Sequence, residues 1–466
     1  MSRSTDITAL RHQFQVVGAA LMRADLNNTH SGNLSLCDPS EPDRFYITAS
    51  GSMCGALCPE EVVPVRFSDT GWSGARRPSS ETNTHRAVLS LPGVRACAHC
   101  HATAATLISL ESPEKPLFLT APAGSRAAET APLFQPVDFF GAGLLGAVSV
   151  GAYAQAVGSR DMEERIPDRL RQSPLTIVKG HGPFARGAGL AECLHYLSLL
   201  ENSARLALAL RRRGVDLGAT QRLILENGFG KLFPGRPRVP EFSAATRPDR
   251  RDPTGTELFA YFLGYNFDLG LGAFAAGSMS IRQGPDEMLF CPMAAAPAGL
   301  EAPVHRLPVG GSEPHAADIR LHRSIYTSTP YTACVIAPSP RATAEAVAVL
   351  SEAVGTDASS ALAQRGPERA AELPVIVPID AEASYYNVRL PVAPPAAIGD
   401  AAPVGLIPEM LRRGNGCGIV AGCGVIAAGE EGLAQAVYRL SLAERIARFR
   451  QEAHLNHLLL GGFRPF

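Results

Sequence analysis

The sequence has 466 residues, which exceeds the usual size of a single hydrophobic core, so two domains are expected and small folds are excluded. Lys and Arg number 43 against 44 Asp and Glu, giving a formal net charge of -1. A net charge so close to zero attracts nucleic acid or an anionic membrane surface only weakly. Neither partner is therefore predicted, and a small-molecule ligand is favoured.

The amino-terminal segment and the cysteines indicate a soluble, cytoplasmic protein. The first residues lack the continuous apolar core of a signal peptide, and no later run of roughly eighteen apolar residues predicts a membrane span. Ten cysteines at irregular positions do not form the dense pattern of a small secreted domain, so free thiols are expected. The close pairs are Cys54/Cys58 and Cys97/Cys100. We interpret both as buried or adventitious thiols rather than as a structural zinc site.

Alternating helix and strand patterns in the first half predict an α/β fold. The pattern of apolar residues predicts an amphipathic helix over 9–24, and short strands follow at 33–36 and 44–48. Ser79 or Ser80 is the predicted cap of the next helix, with Glu81 in its first turn. The remaining predicted elements are a buried strand over 94–100, a helix over 102–110, a strand over 176–179 and a helix over 190–210.

The second half repeats the first in the same order, which predicts a tandem duplication. Four segments match: 32–36 with 277–281, 81–89 with 318–326, 99–106 with 337–343, and 180–208 with 422–449. Between the copies, a stretch rich in Pro, Arg and Asp has no sustained apolar period. We therefore predict a linker at 216–253 that joins domains at 1–215 and 254–466.

Three histidines are candidate ligands of one divalent metal ion. His99 and His101 lie two residues apart at the end of a predicted strand, so their side chains project to the same face. His181 lies between two glycines just after another apolar strand. Three neutral imidazoles leave a coordination position for a substrate oxygen, as in a catalytic zinc site. An isolated HxH pair is more often accidental, so the assignment depends on its context.

That context is a resemblance to the class II aldolase/adducin family over residues 8–212. The matching motifs are SGNLSL at 31–36, YITASGS at 46–52, PSSETNTH at 78–85, AHCHATAATLISL at 98–110 and VKGHG at 178–182. The resemblance implies a three-layer α/β/α domain, present twice in tandem. It also implies that His99, His101 and His181 bind the metal, with zinc expected and Mn²⁺, Fe²⁺ or Co²⁺ as alternatives. The family's acid/base glutamate, in the PSSE motif, corresponds to Glu81.

The expected chemistry is consistent with this assignment. Cleavage of a carbon–carbon bond next to a ketone produces an enediolate, and a metal ion chelated by the ketone and hydroxyl oxygens stabilises its charge as a Lewis acid. Glu81 near the cation would carry the proton to and from the enediolate carbon. The resemblance thus predicts an aldolase-type lyase acting on a small phosphorylated keto-sugar.

Short Gly/Ser elements are the predicted binding site for the substrate phosphate. Backbone N–H groups in tight turns, together with hydroxyl and amide donors, form a cradle for a phosphate dianion without lysine. Each element alone is more often a turn or a helix cap, so the prediction depends on their occurrence beside the three histidines. The resemblance assigns this role to Gly32, Asn33, Ser50, Gly51, Ser79 and Ser80.

The leaving-group end of the reaction is left open by the sequence. Family aldolases use tyrosines as proton donors there, and no tyrosine occurs between Leu117 and Val150. Tyr153 is the nearest, without a clear equivalence. A metal-dependent decarboxylase, dehydratase or epimerase on a related sugar phosphate is therefore an alternative, and so is a noncatalytic adducin-like assembly module.

The second half is interpreted as a degenerate copy. In the alignment of the two halves, Ile336, Pro338 and Cys423 replace the three histidines, and Asp318 replaces Glu81. The resemblance implies cyclic tetramers with active sites at subunit interfaces. A duplicated chain would replace two subunits of such a ring, so a homodimer with four domains is predicted.

Overall fold

The structure is a computed structural model that describes residues 6–69, 71–72, 74–112, 117–120, 131–220, 255–274, 276–291, 304–310, 317–354, 367–380, 383–384, 388–398 and 405–456. The predicted linker lies outside the described residues from 221 onward. Two mixed β-sheets organise the chain, one of nine strands before that segment and one of eight strands after it. The domain bounds at 1–215 and 254–466 themselves stay predictions.

The elements of the first half follow the predicted order. Its helices are α1 (Ile7–Arg23), α2 (Thr82–Leu89), α3 (Thr103–Ser109), α4 (Phe139–Leu144), α5 (Arg160–Gln172) and α6 (Leu190–Arg212). Its strands are β1 (Asn33–Cys37), β2 (Arg44–Thr48), β3 (Val62–Arg66), β4 (Ala96–His99), β5 (Leu119–Thr120), β6 (Leu133–Phe134), β7 (Val148–Gly151), β8 (Leu175–Val178) and β9 (Gly182–Gly187).

The described elements of the second half repeat most of this order, with one fewer strand and one fewer helix. Its helices are α7 (Gly255–Asp268), α8 (Ala317–Ser328), α9 (Pro340–Val354), α10 (Leu406–Arg413) and α11 (Leu433–Leu455). Its strands are β10 (Ser278–Arg282), β11 (Glu287–Cys291), β12 (His305–Pro308), β13 (Ala333–Ala337), β14 (Val375–Ile376), β15 (Leu390–Ala393), β16 (Cys417–Val420) and β17 (Gly424–Gly429).

The first sheet has helices on both faces, which confirms the three-layer α/β/α prediction. Its strand order is β3-β2-β1-β4-β9-β8-β7-β6-β5. Along β2, Phe45 and Ile47 join a core with α2 and α5, whereas Tyr46 between them joins the core with α1, α3 and α6. This alternation follows from the two-residue period of a strand. Each face of the sheet therefore has its own apolar core.

The register of the central strands brings distant segments of the sequence together. Antiparallel β1 and β4 place Asn33 directly opposite His99. Strands β8 and β9 form a hairpin in which Val178 pairs with Gly182, so His181 lies in the tight turn between them. Gly180 allows this turn because its φ is +73°, in the left-handed region.

The same register recurs in the second sheet. Ser278 pairs with Ile336, as Asn33 pairs with His99, and Val420 pairs with Gly424, as Val178 pairs with Gly182. These pairs place Ile336 at the position of His99 and Cys423 at the position of His181. The alignment of the two halves made from the sequence is thereby confirmed.

The two halves pack against each other through α6 and α9. At this contact His195 Nδ1 lies 2.7 Å from the carbonyl oxygen of Phe274, and the Phe274 N–H donates to Ser198 Oγ at 3.0 Å. The Asn202 amide donates to the carbonyl oxygen of Pro338, also at 3.0 Å. These buried groups thus bond across the contact, whereas His195 Nε2 is buried without a partner.

All ten cysteines are free thiols, as expected. Within the described ranges, no helix combines the length and apolar character needed to cross a membrane.

Candidate metal centre and active site

The three predicted histidines meet at one end of the first sheet. His99 ends β4, His101 follows it, and His181 reaches them from the β8–β9 turn. His99 Nε2 lies 3.2 Å from His181 Nε2, and one potential ligand atom from each of the three rings lies within 4.8 Å of the others. His99 is fully buried, whereas His101 and His181 are only partly buried, so the cluster opens toward solvent on one side.

The hydrogen bonds and burial of the rings fit neutral imidazoles. His99 Nδ1 lies 3.0 Å from the Pro183 carbonyl oxygen, which only accepts, so Nδ1 carries the hydrogen and Nε2 keeps its lone pair. Burial lowers the pKa of all three histidines, and it lowers that of His181 to about 4. Repulsion from neighbouring histidines lowers the pKa of His99 and His181 further. Neutral imidazole is the form that binds metal ions.

The spacing of the nitrogens suits a tetrahedral ion. Two nitrogens that each lie about 2.0–2.1 Å from a tetrahedral zinc ion are about 3.3–3.4 Å apart. The Nε2–Nε2 distance of 3.2 Å between His99 and His181 is close to this value. Three imidazoles complete three positions and leave the fourth for a ligand, so these residues fit one divalent cation in an open site.

Glu81 lies beside this cluster. Its Oε2 atom is 3.7 Å from His99 Nε2. Burial raises the pKa of Glu81 to about 7, whereas the Asn33 amide and the Gly158 backbone act in the opposite direction. A pKa near neutrality lets one carboxyl group both accept and donate a proton. The prediction placed Glu81 in the first turn of α2, but the residue is the N-cap, since the helix begins at Thr82.

A chain of hydrogen bonds that the sequence did not predict reaches Glu81 through Asn33. Asn33 Nδ2 donates to Glu81 Oε2 at 2.8 Å, and His85 Nε2 lies 2.5 Å from Asn33 Oδ1. On the other side of its ring, His85 Nδ1 lies 2.6 Å from Ser35 Oγ. All four residues are buried. Asn33, predicted to bind phosphate, therefore also bonds the candidate acid/base.

The predicted serine elements lie side by side. Ser50 N–H donates to the Arg77 carbonyl oxygen at 2.8 Å, and Ser79 N–H donates to the Thr48 carbonyl oxygen at 3.1 Å. Ser50, Gly51 and Ser80 are exposed, whereas Ser79 is buried and accepts a bond from the Glu81 N–H at 3.3 Å. No described contact joins Gly32 directly to these turns. Phosphate binding by the six residues stays a prediction.

Gly32 has no room for a side chain. Its φ is +76°, and a Cβ atom there would lie 2.3 Å from Asn27 Nδ2 and 2.8 Å from the carbonyl oxygen of His99. Asn27 in turn accepts a bond from the His101 N–H at 3.0 Å. Glycine therefore lets the β1 loop approach the segment that carries two of the histidines. The sequence analysis did not identify Asn27.

A buried carboxylate fixes the helix that follows His101. Glu201 accepts hydrogen bonds from the Ala104 and Ala105 N–H groups at the amino terminus of α3, each at 3.0 Å. Glu444 does the same for Arg341 and Ala342 at the amino terminus of α9, at 3.2 and 2.9 Å. A glutamate thus occupies the same position in both copies of the long helix, at Glu201 in α6 and Glu444 in α11. In the sequence, this repetition is the feature that points to a shared role.

The second half has no counterpart of the metal centre among the described residues, where the histidine cluster is the one group suited to a metal ion. Cys423 is buried at the position of His181, and burial raises the pKa of its thiol to about 12. Residues 294–296 and 316, aligned with parts of the predicted phosphate site, lie outside the described residues.

Three proteins of known activity are similar to part of this chain. A methylthioribulose-1-phosphate dehydratase from Leptospira biflexa is 29% identical over 180 residues, which is 36% of this chain and 81% of that protein. A 5-methylthioribulose-1-phosphate/5-deoxyribulose-1-phosphate aldolase from Rhodospirillum rubrum is 27% identical, over 39% of this chain and 72% of that protein. A 3-oxo-tetronate 4-phosphate decarboxylase from Escherichia coli is 22% identical, over 44% and 90%.

Among solved structures, an l-fuculose-1-phosphate aldolase from Thermus thermophilus aligns with a TM-score of 0.37 and 25% identity, over 44% of this chain and 95% of that one. The family model for the class II aldolase and adducin N-terminal domain matches this chain twice, at residues 13–208 and 257–450. The two matches cover both sheets and most of the sequence. The chain therefore belongs to the class II aldolase and adducin family, with the domain present twice in tandem.

Proposed function

We propose that this protein is a metal-dependent lyase of the aldolase type that cleaves or forms a carbon–carbon bond in a small phosphorylated keto-sugar. The observation that carries the proposal is the convergence of His99, His101 and His181 with Glu81 Oε2 3.7 Å from His99 Nε2. A buried carboxyl group next to an open set of three imidazoles suits proton transfer at a carbon beside a ketone.

The three histidines would hold one divalent ion, with zinc the first candidate and Mn²⁺, Fe²⁺ or Co²⁺ as alternatives. When bound, the ion supplies positive charge that stabilises an enediolate. Glu81 moves the proton at substrate C3. In cleavage the C3–C4 bond breaks, its electron pair enters the enediolate, and the proton of the C4 hydroxyl passes to solvent. Glu81 then gives a proton to C3 and regains one from solvent. The donors at Gly32, Asn33, Ser50, Gly51, Ser79 and Ser80 would bind the phosphate.

Dehydration of a related substrate is a second candidate, favoured by the 29% identity to a methylthioribulose-1-phosphate dehydratase. In that reaction Glu81 removes the C3 proton, and hydroxide leaves from C4 instead of an aldehyde. Both reactions pass through an enediolate at C2 and C3, of three carbons in cleavage and of the whole substrate in dehydration, so the same residues serve either. Tyr153 offers no clear proton donor for C4, because its ring packs beneath the Arg165 guanidinium and its hydroxyl is buried.

Product analysis tests the proposal. Protein loaded with zinc is incubated in D₂O with dihydroxyacetone phosphate and, separately, with 5-methylthioribulose 1-phosphate. We expect deuterium to enter C3 of dihydroxyacetone phosphate, and the second substrate to give dihydroxyacetone phosphate and an aldehyde. A product that has lost one water would favour the dehydratase. Absence of both exchange and product, with zinc bound, would contradict an enzyme of this type and favour an adducin-like assembly module.

We also propose that two chains form a ring of four domains. Within one chain the contact is head to tail, because the Phe139 N–H at the start of α4 donates to the carbonyl oxygen of Gly422 at 2.9 Å, beside Cys423. The first half thus lies against the second half's counterpart of the metal centre. Repeated head-to-tail contacts form a closed ring when the rotation between units closes, and in a ring of four domains the metal centre itself would face the second half of another copy.

Exposed leucines beside the metal centre support this arrangement. Leu107 on α3 and Leu110, which caps its carboxyl end, are 51% and 55% exposed. Their counterparts on α9, Ala344 and Val347, are 0% and 1% exposed, and α9 packs against α6. The exposed apolar face of α3 therefore corresponds to the face of α9 that α6 covers within the chain. The α11 helix of a second copy, the counterpart of α6, is its expected partner.

A mass measurement tests the ring. The native protein is expected at about twice the chain mass of 49.2 kDa. A Leu107→Glu/Leu110→Glu variant should shift toward the monomer, since buried charges without partners destabilise an interface. The control is Leu269→Glu, which changes a 51% exposed leucine at the end of α7. A native protein that is monomeric at micromolar concentration would overturn the proposal.

A further inference from the structure

His85 is a fully buried histidine that neither binds the metal nor moves a proton in the proposed function. It lies one turn into α2, four residues after Glu81. Its ring bridges Ser35 Oγ at 2.6 Å and Asn33 Oδ1 at 2.5 Å. Both partners belong to β1, so His85 joins the helix that starts at Glu81 to the strand opposite His99.

The direction of each hydrogen bond in this chain follows from Glu81. An ionised carboxylate only accepts, so the Asn33 group at 2.8 Å from Oε2 is the NH₂ group. The Asn33 oxygen then faces His85. Because an amide oxygen only accepts, His85 Nε2 carries the hydrogen and donates it to Asn33 Oδ1. Without this donor the Asn33 amide would be held by its bond to Oε2 alone and could swing about it. His85 thus supplies the second bond that fixes the Asn33 amide, and with it the position of Glu81.

The effect on Glu81 differs between its two oxygens. Oε2 is bound by Asn33 and lies beside His99. Oε1 is buried without a hydrogen bond of its own, although the backbone N–H of Gly158 lowers the pKa of the group. One oxygen is therefore fixed by a hydrogen bond, and the other is buried without one. An acid/base group needs this fixed direction, because proton transfer depends on geometry.

The second half contains an equivalent histidine that lacks the hydrogen bonds leading to a carboxylate. His322 takes the place of His85, with Nδ1 2.5 Å from Ser280 Oγ and Nε2 2.9 Å from Ser278 Oγ. Ser278 stands where Asn33 does, and it is too short to continue to a carboxylate. Asp318, in place of Glu81, accepts from the neighbouring Ile319 N–H instead. The fold keeps the buried histidine in both halves, but only the first half connects it to a carboxylate.

We propose that His85 is a positioning residue for Glu81, acting through Asn33; the proposal rests on the proposed function of Glu81. His322 provides a matched control, since it has the same burial and the same serine partner but no connected carboxylate. A His85→Asn substitution keeps an amide near the Nδ1 position and removes the donor at the Nε2 position. His85→Gln places an amide near the Nε2 position and should restore the donor.

The experiment compares His85→Asn, His85→Gln and His322→Asn. For His85→Asn we expect kcat for exchange to fall about 10- to 100-fold, with KM within about threefold and zinc retained, as for residues that orient a reacting group. His85→Gln should recover most of this loss, and His322→Asn should leave kcat unchanged. Equal losses of kcat in His85→Asn and His322→Asn, or no rescue by His85→Gln, would show a purely structural role.

Crystal structures of the same variants test whether His85 positions Glu81, independently of any reaction. The Glu81 carboxylate is expected to lose its fixed position in His85→Asn and to keep it in His85→Gln and His322→Asn. If the native protein shows no exchange, the proposed function fails while this readout still tests the connection from His85 to Glu81. A Glu81 carboxylate that is equally ordered in all variants would overturn the proposal.

Discussion

Replacement of both His99 and His101 by alanine is expected to reduce bound metal to below about a tenth of an equivalent, because one remaining imidazole forms no chelate. Turnover should fall on the order of 10³-fold or more, since the positive charge that stabilises the enediolate is lost. Metal analysis of the purified variant after dialysis against zinc measures the first effect. The exchange of deuterium into dihydroxyacetone phosphate measures the second.

The matched control replaces two exposed histidines that do not belong to the cluster. His12 in α1 and His454 near the end of α11 are exposed. A His12→Ala/His454→Ala variant should keep native metal content and turnover. If the His99→Ala/His101→Ala variant holds as much metal as this control, the three histidines are not the ligands, and the proposed reaction loses its electrophile.

Glu81→Gln is expected to lower the rate of exchange about 10²- to 10⁴-fold while leaving metal content near the native value, because the amide neither accepts nor donates the transferred proton. The change is nearly isosteric, so it tests proton transfer rather than packing. KM for the substrate should change little, since the group acts on a carbon-bound proton. Steady-state exchange with metal-loaded protein gives both constants.

Asp318→Asn gives the corresponding change in the second half. Asp318 is buried at the position equivalent to Glu81, and burial raises its pKa to about 6. We expect this variant to exchange deuterium at the native rate, because the described residues around it hold no set of metal ligands. If the Glu81→Gln variant exchanged deuterium as fast as Asp318→Asn, the proposed acid/base role of Glu81 would be wrong.

Local sequence patterns predicted the main elements and the meeting of the three histidines, whereas metal binding by them stays a prediction. Helix α1 was predicted at 9–24 and spans Ile7–Arg23, starting earlier because the Asp6 side chain accepts bonds from Thr8 and Ala9 and so caps it. The HxH pair and the Gly-flanked His181 were found because their spacing is local and their chemistry is specific. The resemblance then joined segments that lie about eighty residues apart in the sequence.

Contacts between distant polar residues were not predictable in the same way. His85 recurs in the sequence as His322, which by itself favours a structural role, and nothing in its spacing shows that Asn33 connects it to Glu81. Glu201 meets the α3 backbone from 97 residues away, and an isolated glutamate in a helix gives no sign of such a partner. Burial and direction of bonding appear only once the chain is folded.

The paired carboxylates Glu201 and Glu444 have a consequence for how variation in this protein should be interpreted. Each accepts hydrogen bonds at the amino terminus of a helix, one beside the histidine cluster and one where the described residues include no such cluster. Because this glutamate is present in both halves, including the half that lacks the three histidines, we infer that it serves the stability of the fold rather than the reaction. Natural variants at either position should therefore alter the amount of folded protein in the cell, whereas variants at the three histidines should leave abundance intact and remove the product.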